Sequence, residues 1–484
     1  MQVTERDEAG HVSRISFQDR LAVSSSSSQT SLLTALAKLF LPAGYPHSVS
    51  PDYLRYQILN ALQAFCNSLA SLLSSRATLE GYGVGDASAS ATDALLLTVL
   101  QDLFGRLTTI IAAFFFGSSL FPEAKTYRFL ADVLNDAATV IDTLSPLLTT
   151  IYLSHAPAIF KSLPFLPPSV PFRVYTLCFS ASLRALCGIA AGGSKTAITM
   201  HFATPLQGSG DVGDLNAKDS SKETVLAMLG MMIGSLTVPY LTTPCSTYTV
   251  LFLTVLLHLL INYLGVRGVV LRTLNRQRAS LAWLSFKSDP SLLNTPSRLA
   301  SLERILSLRS DAIRSFPSGK VIASCTLGSK FSTCLPNSDI VGLFRNKRYV
   351  LCLDRNGTLV AGSVQRFHIL LKHGYNSADQ LEAWVLACEA ARLLASSTIA
   401  RGSGAATLFQ EAIASVDRDF HAFIEDLRKH DWITVPLTRD SQQSDDEYAP
   451  PAPLLGSQTI SFSVAAPRTV ILNVQYEAEG KKTR

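Results

Sequence analysis

The sequence predicts a mainly α-helical protein in which a membrane-associated N-terminal domain is followed by a small α+β domain. Hydrophobic residues make up 47% of the 484 residues and charged residues only 16%, whereas soluble proteins carry about 25% charged residues. Gly and Pro divide the apolar region between Ser31 and Arg278, which favours helices joined by short breaks. After Ser280, Ser, Pro and Arg become more frequent. We therefore predict four regions: a disordered polar tail over 1–30, a helical domain over 31–285, an α+β domain over 300–440 and a flexible acidic, Pro-rich tail with one short strand over 441–484.

The helical domain begins after the break LPAGYPHSVSP, whose three prolines cannot lie inside a helix. A helix is expected from Asp52, and the glycine-rich break GYGVGDAS separates it from a second helix containing LLLTVLQDLFGRLTTIIAAFFF. Asp102 and Arg106 are spaced for an ion pair, so this second segment spans lipid only if both face a bundle interior. Otherwise it is a buried helix of a soluble domain. Further helices are predicted over Lys125–Leu148, around GIAAGGSKT and after a polar loop at Pro205–Asp219.

The strongest membrane signal is CSTYTVLFLTVLLHLLINYLGV, Cys245–Val266, which contains no Asp, Glu, Lys or Arg. A spanning helix needs about 20 apolar residues, so we predict at least one transmembrane helix near 245–266. Tyr248 and Tyr263 lie near its ends, as interfacial aromatic residues do. His258 is either a proton or ligand site, or a neutral histidine that is hydrogen-bonded inside the bundle.

Four arginines follow this segment, and no acidic residue offsets them before Asp289. By the positive-inside rule they place this end, and the domain after it, in the cytosol. Arg272 and Arg276 are spaced to share one helical face. The cluster either contacts anionic lipid headgroups or is a solvated helix end. Its members are Arg267, Arg272, Arg276 and Arg278.

The C-terminal domain combines a predicted hairpin with two helices. Asn356-Gly357 in RYVLCLDRNGTLVAGSV is a strong hairpin signal between two apolar runs. DQLEAWVLACEAARLLASS and FQEAIASVDRDFHAFIEDLRK both have helical periodicity, and the apolar run Thr469–Val474 predicts a late strand.

Several functional classes have no support in the sequence. The net charge of +5 is small for this length and gives no nucleic-acid signature. The eight cysteines form no CxxC pair, which disfavours a zinc site and is consistent with reduced thiols. Motifs such as GxSxG and HExxH are missing, so neither enzymatic activity nor a cofactor is expected.

The stretch GIAAGGSKT, Gly188–Thr196, resembles a phosphate-binding loop, but Ser194 occupies the position of the P-loop lysine. Lys195 comes one residue late, and the preceding LCFSASLRALC has helical rather than strand character. We therefore expect a glycine-rich kink or a close helix crossing.

Charged residues between the apolar helices are the candidate ligand-binding residues. They would hold a phosphate or a carboxylate at one end of the bundle, or else represent ordinary helix-end polarity and a structural ion-pair network. Asp219 or Ser220 is expected to cap a helix. The candidates are Lys195, His201, Lys218, Asp219, Arg128, Asp132 and Asp86.

Five motifs in order resemble the Root UVB Sensitive family, once catalogued as a domain of unknown function. They are LFLPAGYPHSVSPDYLRYQ, GYGVGDASASATDA, KTYRFLADVLND, GDLNAKDSSKETV and NYLGVRGVVLRTLNRQR, which cover roughly residues 36–280. The resemblance implies links to seedling development, ultraviolet-B sensitivity of roots, vitamin B6 homeostasis and auxin transport, as in plant members. It brings no catalytic motif with it.

Two functional hypotheses follow. The first is an integral membrane protein that binds or moves a small anionic metabolite, similar to vitamin B6 or auxin. The second is a non-catalytic, membrane-anchored adaptor that recruits partners through its C-terminal domain. Expected partners are membrane lipids, the metabolite and a paralogue or another protein, but not nucleic acid.

Overall fold

In the computed structural model the chain forms two compact units, Met1–Val269 and Val270–Arg484. The first is a bundle of long helices and the second combines helices with a mixed sheet, as the sequence predicts. The residues described are 2–6, 12–18, 21–24, 39–81, 91–117, 119–155, 172–206, 208–289, 292, 294–307, 309, 311–354, 364–396, 404–436, 458–460 and 471–472.

The first unit is built around one central helix, α1, which packs against α3, α5 and α6, while α4 packs against α2 and α3. These elements are α1 (Tyr53–Gly81), α2 (Ala91–Phe116), α3 (Ala124–His155), α4 (Phe172–Phe202), α5 (Val212–Thr237) and α6 (Pro244–Gly268). The helix predicted from Asp52 and the helix around GIAAGGSKT are both confirmed, as α1 and α4.

Four of these helices are long and apolar enough to cross a membrane, which takes about 20 residues. They are Ala94–Phe116, Phe172–Phe202, Val212–Tyr240 and Pro244–Gly268. The last contains the segment near 245–266 in which the sequence predicts a transmembrane helix. Length and composition therefore indicate a membrane protein with more candidate spans than that one segment.

The ion pair on α2 forms as its spacing predicts, but it does not face the bundle interior. Arg106 Nε lies 2.7 Å from Asp102 Oδ2, and the two side chains are 75% and 60% exposed. Large apolar side chains of the same helix, such as Ile110 and Phe114, are exposed as well. The condition stated for this segment to span lipid is therefore not met within this single chain, although most of the exposed side chains of α2 are apolar.

Helix α5 crosses α1 closely because two glycines one turn apart face it. A Cβ atom on Gly230 would lie 2.6 Å from the carbonyl oxygen of Phe65, and one on Gly234 would collide with the Leu72 side chain. Small residues at this spacing let helix backbones approach each other. GMMIG thus makes the close crossing that the sequence analysis placed in GIAAGGSKT.

Two features of the first unit differ from the sequence-based expectation. Helix α5 begins at Val212, with Asp211 as its cap accepting from the Gly213 amide, so Asp219 and Ser220 do not cap it. Where a polar tail is predicted, the structure has a three-stranded antiparallel sheet. The segment VSRISFQ alternates between apolar and polar residues, which is a strand signal. The strands of the sheet are β1 (Gln2–Arg6), β2 (Val12–Gln18) and β3 (Leu21–Ser24).

The second unit is a sheet covered by helices. Strand β7 pairs with β5 and β10 in parallel and with β6 in antiparallel orientation, and β4 pairs with β5. Trp283 and Trp384 lie in its core. The elements are α7 (Arg276–Ser288), α8 (Pro296–Leu302), β4 (Ala312–Arg314), β5 (Val321–Leu327), α9 (Phe331–Cys334), α10 (Ser338–Leu343), β6 (Tyr349–Leu353), β7 (Gln365–Lys372), α11 (Ser377–Ala395), α12 (Ala405–Lys429), β8 (Thr434–Pro436), β9 (Gln458–Ile460) and β10 (Ile471–Leu472).

The first strand of the predicted hairpin is β6, which pairs antiparallel with β7, and Leu353 lies opposite Phe367. Strand β7 begins at Gln365, after the predicted second run, which ends at Val364. Most of that run and the Asn356-Gly357 turn lie outside the described residues. The late strand predicted within Thr469–Val474 is β10. Most of the C-terminal tail, predicted to be flexible, lies outside the described residues.

The arginine cluster does not lie along one helical face. Arg272 precedes α7, and its Nε donates to the carbonyl oxygen of Asp431 at 2.8 Å. Arg276 and Arg278 are buried in the second unit, where Arg278 Nη1 lies 2.7 Å from Glu303 Oε1. The side chains of Arg272 and Arg278 therefore have their partners within the second unit, and the carbonyl oxygen of Arg276 accepts from Trp384 Nε1 at 3.0 Å.

Candidate functional site

A polar stripe runs along one face of the central helix α1. Its members are spaced three or four residues apart, which places them on a common helical face within an apolar bundle. Each is directed at a charged or polar group on a neighbouring helix. The members are Tyr53, Gln57, Asn60, Gln63 and Asn67.

The middle of this stripe borders a cavity of about 280 Å³ between α1, α3, α4 and α5. Arg128 from α3 and Lys195 from α4 bring two cations to it, and three carboxylates lie in the same wall. The lining residues are Tyr56, Gln57, Asn60, Arg128, Asp132, Ala191, Gly192, Lys195, Ile198, Thr199, Phe202, Asp219 and Glu223.

Arg128 is fixed on three sides. Its Nη1 lies 3.0 Å from Asp132 Oδ1, one turn further along α3, as the spacing of the two residues predicts. Its other nitrogens donate to Asn60 Oδ1 at 3.2 Å and to the Tyr56 hydroxyl at 3.3 Å. The guanidinium is therefore oriented before any ligand arrives, because a side chain held by several partners has few alternative rotamers.

Lys195 is the more exposed of the two cations. Its Nζ lies 3.0 Å from Glu223 Oε1, and the two side chains are 38% and 31% exposed. Asn60 Nδ2 donates to the same carboxylate oxygen at 2.6 Å. Since a half-exposed ion pair is held weakly, Lys195 can exchange Glu223 for an anionic ligand at little cost.

Asp219 closes the cavity from α5. It accepts from the Tyr53 hydroxyl at 2.8 Å and from Gln57 Nε2 at 2.6 Å, and Lys222 Nζ lies 3.0 Å away. Burial, and then the charge of Asp219, raise the pKa of Tyr53. The phenol therefore stays protonated and remains a donor to Asp219.

The structure brings four of the seven candidate residues together and leaves two of the described ones apart. Arg128, Asp132, Lys195 and Asp219 line the cavity. His201 is buried, and its Nε2 lies 3.0 Å from Asp52 Oδ2. Lys218 is half-buried on α5 and does not line the cavity, and Asp86 lies outside the described residues.

A second buried polar cluster lies deeper in the bundle. Asp132 also accepts from Gln63 and from Asn262 of α6, so one carboxylate joins three helices. One turn further along α3, Asp136 contacts His258. His258 is therefore hydrogen-bonded inside the bundle, which is the structural alternative that the sequence analysis weighed for it.

The cavity has an open acceptor besides its charges. Gln57 Oε1 is buried and has no hydrogen-bond partner in the structure. A buried polar atom without a partner costs about 1–3 kcal/mol, so a ligand that donates a hydrogen bond there would recover this energy. The arrangement as a whole suits a small molecule that carries both an anionic group and a donor.

The GIAAGGSKT stretch lies within α4, which continues from Phe172 to Phe202, and no strand precedes it in the described part of the chain between α1 and α4. A P-loop is therefore excluded. Gly193 lies against Leu120, where an added Cβ would come within 2.6 Å of Leu120 Cδ1. Gly192 lines the cavity, and a Cβ there would meet no atom within 4 Å.

The α1 stripe was not predicted, although its signal is present in the sequence. Polar residues at helical spacing in YLRYQILNALQAFCN interrupt an otherwise apolar face, which is typical of a functional or paired face in a membrane bundle. Glu223 was not among the predicted candidate residues either. Among the described residues, no group of three or more His, Cys, Asp or Glu could hold a metal ion.

Known proteins match the region of the chain that forms the helical bundle. The family model of the vitamin B6 photo-protection and homoeostasis domain matches residues 26–289. The chain is 29% identical to protein root UVB sensitive 3 of Arabidopsis thaliana over 411 residues, which is 83% of each chain. It is 34% identical to RUS family member 1 of Dictyostelium discoideum over 274 residues, 56% of this chain and 47% of that relative. No solved structure matches it.

The matched region contains all six helices of the bundle and every residue that lines the cavity. The matched region covers more than half of the 484 residues. The motifs that carry the resemblance lie within it. The chain belongs to the Root UVB Sensitive family.

Proposed function

We propose that this chain is an integral membrane protein whose helical unit binds a small metabolite with an anionic group in the cavity between α1, α3, α4 and α5. The observation that supports this most is the pair of cations, Arg128 and Lys195, in the wall of a cavity inside an otherwise apolar bundle. Charged groups at such positions are costly and are functional more often than charges in soluble proteins.

The charges of the cavity define the class of ligand. Arg128 and Lys195 bind a phosphate or a carboxylate, and the Arg128 guanidinium does so in a planar, bidentate manner. Asp219, Glu223 and the open acceptor Gln57 Oε1 receive N–H or O–H groups of the same ligand. The ligand is therefore a compact molecule with an acid at one end and a donor at the other.

The volume supports a small ligand. Pockets for drug-sized molecules occupy about 300–1,000 Å³, and this cavity of about 280 Å³ lies just below that range. The family description names vitamin B6, and its phosphorylated forms combine a phosphate, ring hydroxyls and a ring nitrogen. We propose these forms first, and indole acids, with a carboxylate and an N–H group, second.

Titration calorimetry of the purified, full-length protein in detergent tests this proposal. Pyridoxine phosphate is the suitable probe because it lacks the aldehyde that would react with any lysine. We expect binding to weaken at least about tenfold in Arg128→Gln and in Lys195→Gln. Lys218→Gln, a charge loss on α5 outside the cavity, should leave the affinity unchanged.

Two comparisons make the result specific. Pyridoxine without its phosphate should bind more weakly, and indoleacetic acid reports whether a carboxylate suffices. Equal affinity of the wild type and the Arg128 and Lys195 variants for pyridoxine phosphate would refute the site. Uptake into proteoliposomes then separates transport from binding alone.

A further inference from the structure

The second unit has a cavity of its own, of about 360 Å³, whose wall is unusually rich in arginine. Arg298, Arg304, Arg309 and Arg314 all line it, and no Asp or Glu does. The cavity of the helical unit, in contrast, pairs each cation with a carboxylate. The two sites therefore differ in net charge, and this one requires an explanation of its own.

Three elements of the second unit form the arginine cavity. Arg298 lies on α8, and Arg304 and Arg309 lie on the segment that follows it. Arg314 ends β4 and precedes the turn Ser315–Gly319, which closes one side. Residues of α7 complete the wall. Helix α8, the segment after it and strand β4 thus bring four arginine side chains to one cavity.

Three of the four arginines have no carboxylate partner in the described part of the chain. Among the residues that the structure describes, Arg304, Arg309 and Arg314 make no ion pair with a carboxylate. The two acids nearest in sequence, Glu303 and Asp311, do not line the cavity, and the Glu303 side chain is buried against Arg278 at 2.7 Å. Burial, and then the charges of Arg304 and Arg309, lower the pKa of Arg314. The cluster is therefore under electrostatic repulsion that a bound anion would relieve.

Two of the guanidinium groups also meet at one carbonyl oxygen. Arg304 Nη2 and Arg314 Nη1 both donate to the Gly319 carbonyl oxygen, at 3.4 Å and 3.3 Å. These bonds are long, and each guanidinium has several further N–H groups to offer. Arg298 lies 5.9 Å from the centre of the Phe316 ring. A ring or a short aliphatic chain on the ligand therefore has an apolar surface beside the charges.

We propose that the arginine cavity binds a ligand with a phosphate monoester or a diphosphate group, at a site separate from the cavity of the helical unit. Several arginines that face one anion without a competing carboxylate match the geometry of a doubly charged phosphate, because each guanidinium donates two parallel hydrogen bonds to it. The same chemistry is offered by a soluble phosphate ester and by the headgroup of phosphatidic acid.

Calorimetric titration of the full-length protein in detergent with inorganic pyrophosphate tests this site. A second titration uses short-chain phosphatidic acid, with short-chain phosphatidylcholine as its control. The key variant is Arg304→Gln/Arg309→Gln, since both side chains are exposed and their loss should not disturb folding. The matched control is Arg366→Gln/Arg418→Gln, which removes two charges from exposed positions of the same unit outside the cavity.

We expect the key variant to weaken binding at least about tenfold, and the control to leave it unchanged. Arg304→Lys/Arg309→Lys should restore part of the affinity, because it keeps the charge and loses the bidentate contact. Binding of pyrophosphate indicates a soluble ligand, whereas binding of phosphatidic acid alone indicates a lipid headgroup. No binding of either probe, or equal loss in the control variant, would overturn the proposal.

Discussion

His258 Nδ1 lies 2.7 Å from Asp136 Oδ2, and the two side chains are only 2% and 3% exposed. The pair joins α6 to α3 in the interior of the helical unit. Asp136 Oδ1 has no hydrogen-bond partner in the structure. The pair therefore satisfies one oxygen of Asp136, and it adds to the contact between Asn262 and Asp132 as a second polar link between the two helices.

Removal of one partner of this pair should destabilise the helical unit strongly. Removing one partner of a buried, hydrogen-bonded pair costs about 1–3 kcal/mol, because the remaining polar group stays buried without a partner. We expect His258→Ala to lower the thermal midpoint of the detergent-solubilised protein clearly. Arg106→Gln, at the exposed pair on α2, is the control and should change the midpoint little. Equal shifts in the two variants would contradict the assignment of the buried pair as structural.

The pair of Lys195 and Glu223 should behave in the opposite way. Its side chains are 38% and 31% exposed, and such pairs contribute about 1 kcal/mol or less. A double-mutant cycle of Lys195→Met and Glu223→Gln on stability should therefore give a small coupling energy. Lys195→Met should nevertheless reduce binding of pyridoxine phosphate. A coupling energy of several kcal/mol would show that the pair is structural.

Gly192 is the position at which the cavity can be filled without disturbing the helix. Because an added Cβ meets open space, we expect Gly192→Leu to fold and to block binding of pyridoxine phosphate. Gly188→Leu is the matched control on the same helix, since its Cβ also meets open space and the residue does not line the cavity. Retained binding in Gly192→Leu would place the ligand elsewhere.

Acid should destabilise the second unit through Glu389. Burial opposes the charge of this carboxylate, but hydrogen bonds from Arg392 and Ser415 outweigh it and lower its pKa below 4.5. Its stabilisation is therefore complete above the unfolded pKa and is lost as the pH falls through the folded pKa. The slope of stability against pH below 4.5 should become shallower in Glu389→Gln.

Intrinsic fluorescence is the measurement for this effect, because all three tryptophans lie in the second unit, at Trp283, Trp384 and Trp432. Trp283 Nε1 donates to Glu389 Oε2 at 3.1 Å, so it reports directly on the carboxylate. Chemical unfolding at several pH values gives the slope. A variant that keeps the wild-type slope would assign the acid sensitivity to another group.

Membrane insertion can be tested at the middle of α6. Leu256 is 66% exposed there, and an aspartate at the centre of a spanning helix costs about 3 kcal/mol of insertion free energy. We expect Leu256→Asp to make the protein extractable by alkaline carbonate, from which the wild type is protected. Leu306→Asp, an exposed leucine of the second unit, is the control. Extraction of the wild type would refute membrane integration.

Local patterns in the sequence predicted a large part of the fold. Some helices and strands depend only on residues that are close in the chain. Examples are the helix after the prolines that precede Asp52, the helix that contains the uncharged run at Cys245–Val266 and the strand formed by the apolar run before Asn356. Two ion pairs were predictable in the same way, because a helix places residues four positions apart side by side. They are the pair of Asp102 with Arg106 and the pair of Arg128 with Asp132. These features need no knowledge of the tertiary structure.

The sequence by itself determined that the chain is helical and apolar, where its helices break and which polar groups they include. Only the tertiary structure decided which of those groups meet. Lys195 lies beside Glu223 and Arg128 beside Asn60 because α1, α3, α4 and α5 pack together, and side-chain spacing along one helix contains no information about its neighbours. His201 and Lys218 have the same chemistry as the cavity residues, but their helical faces point elsewhere. The direction of a helical face is fixed by packing between helices, which is the step that composition and periodicity leave open.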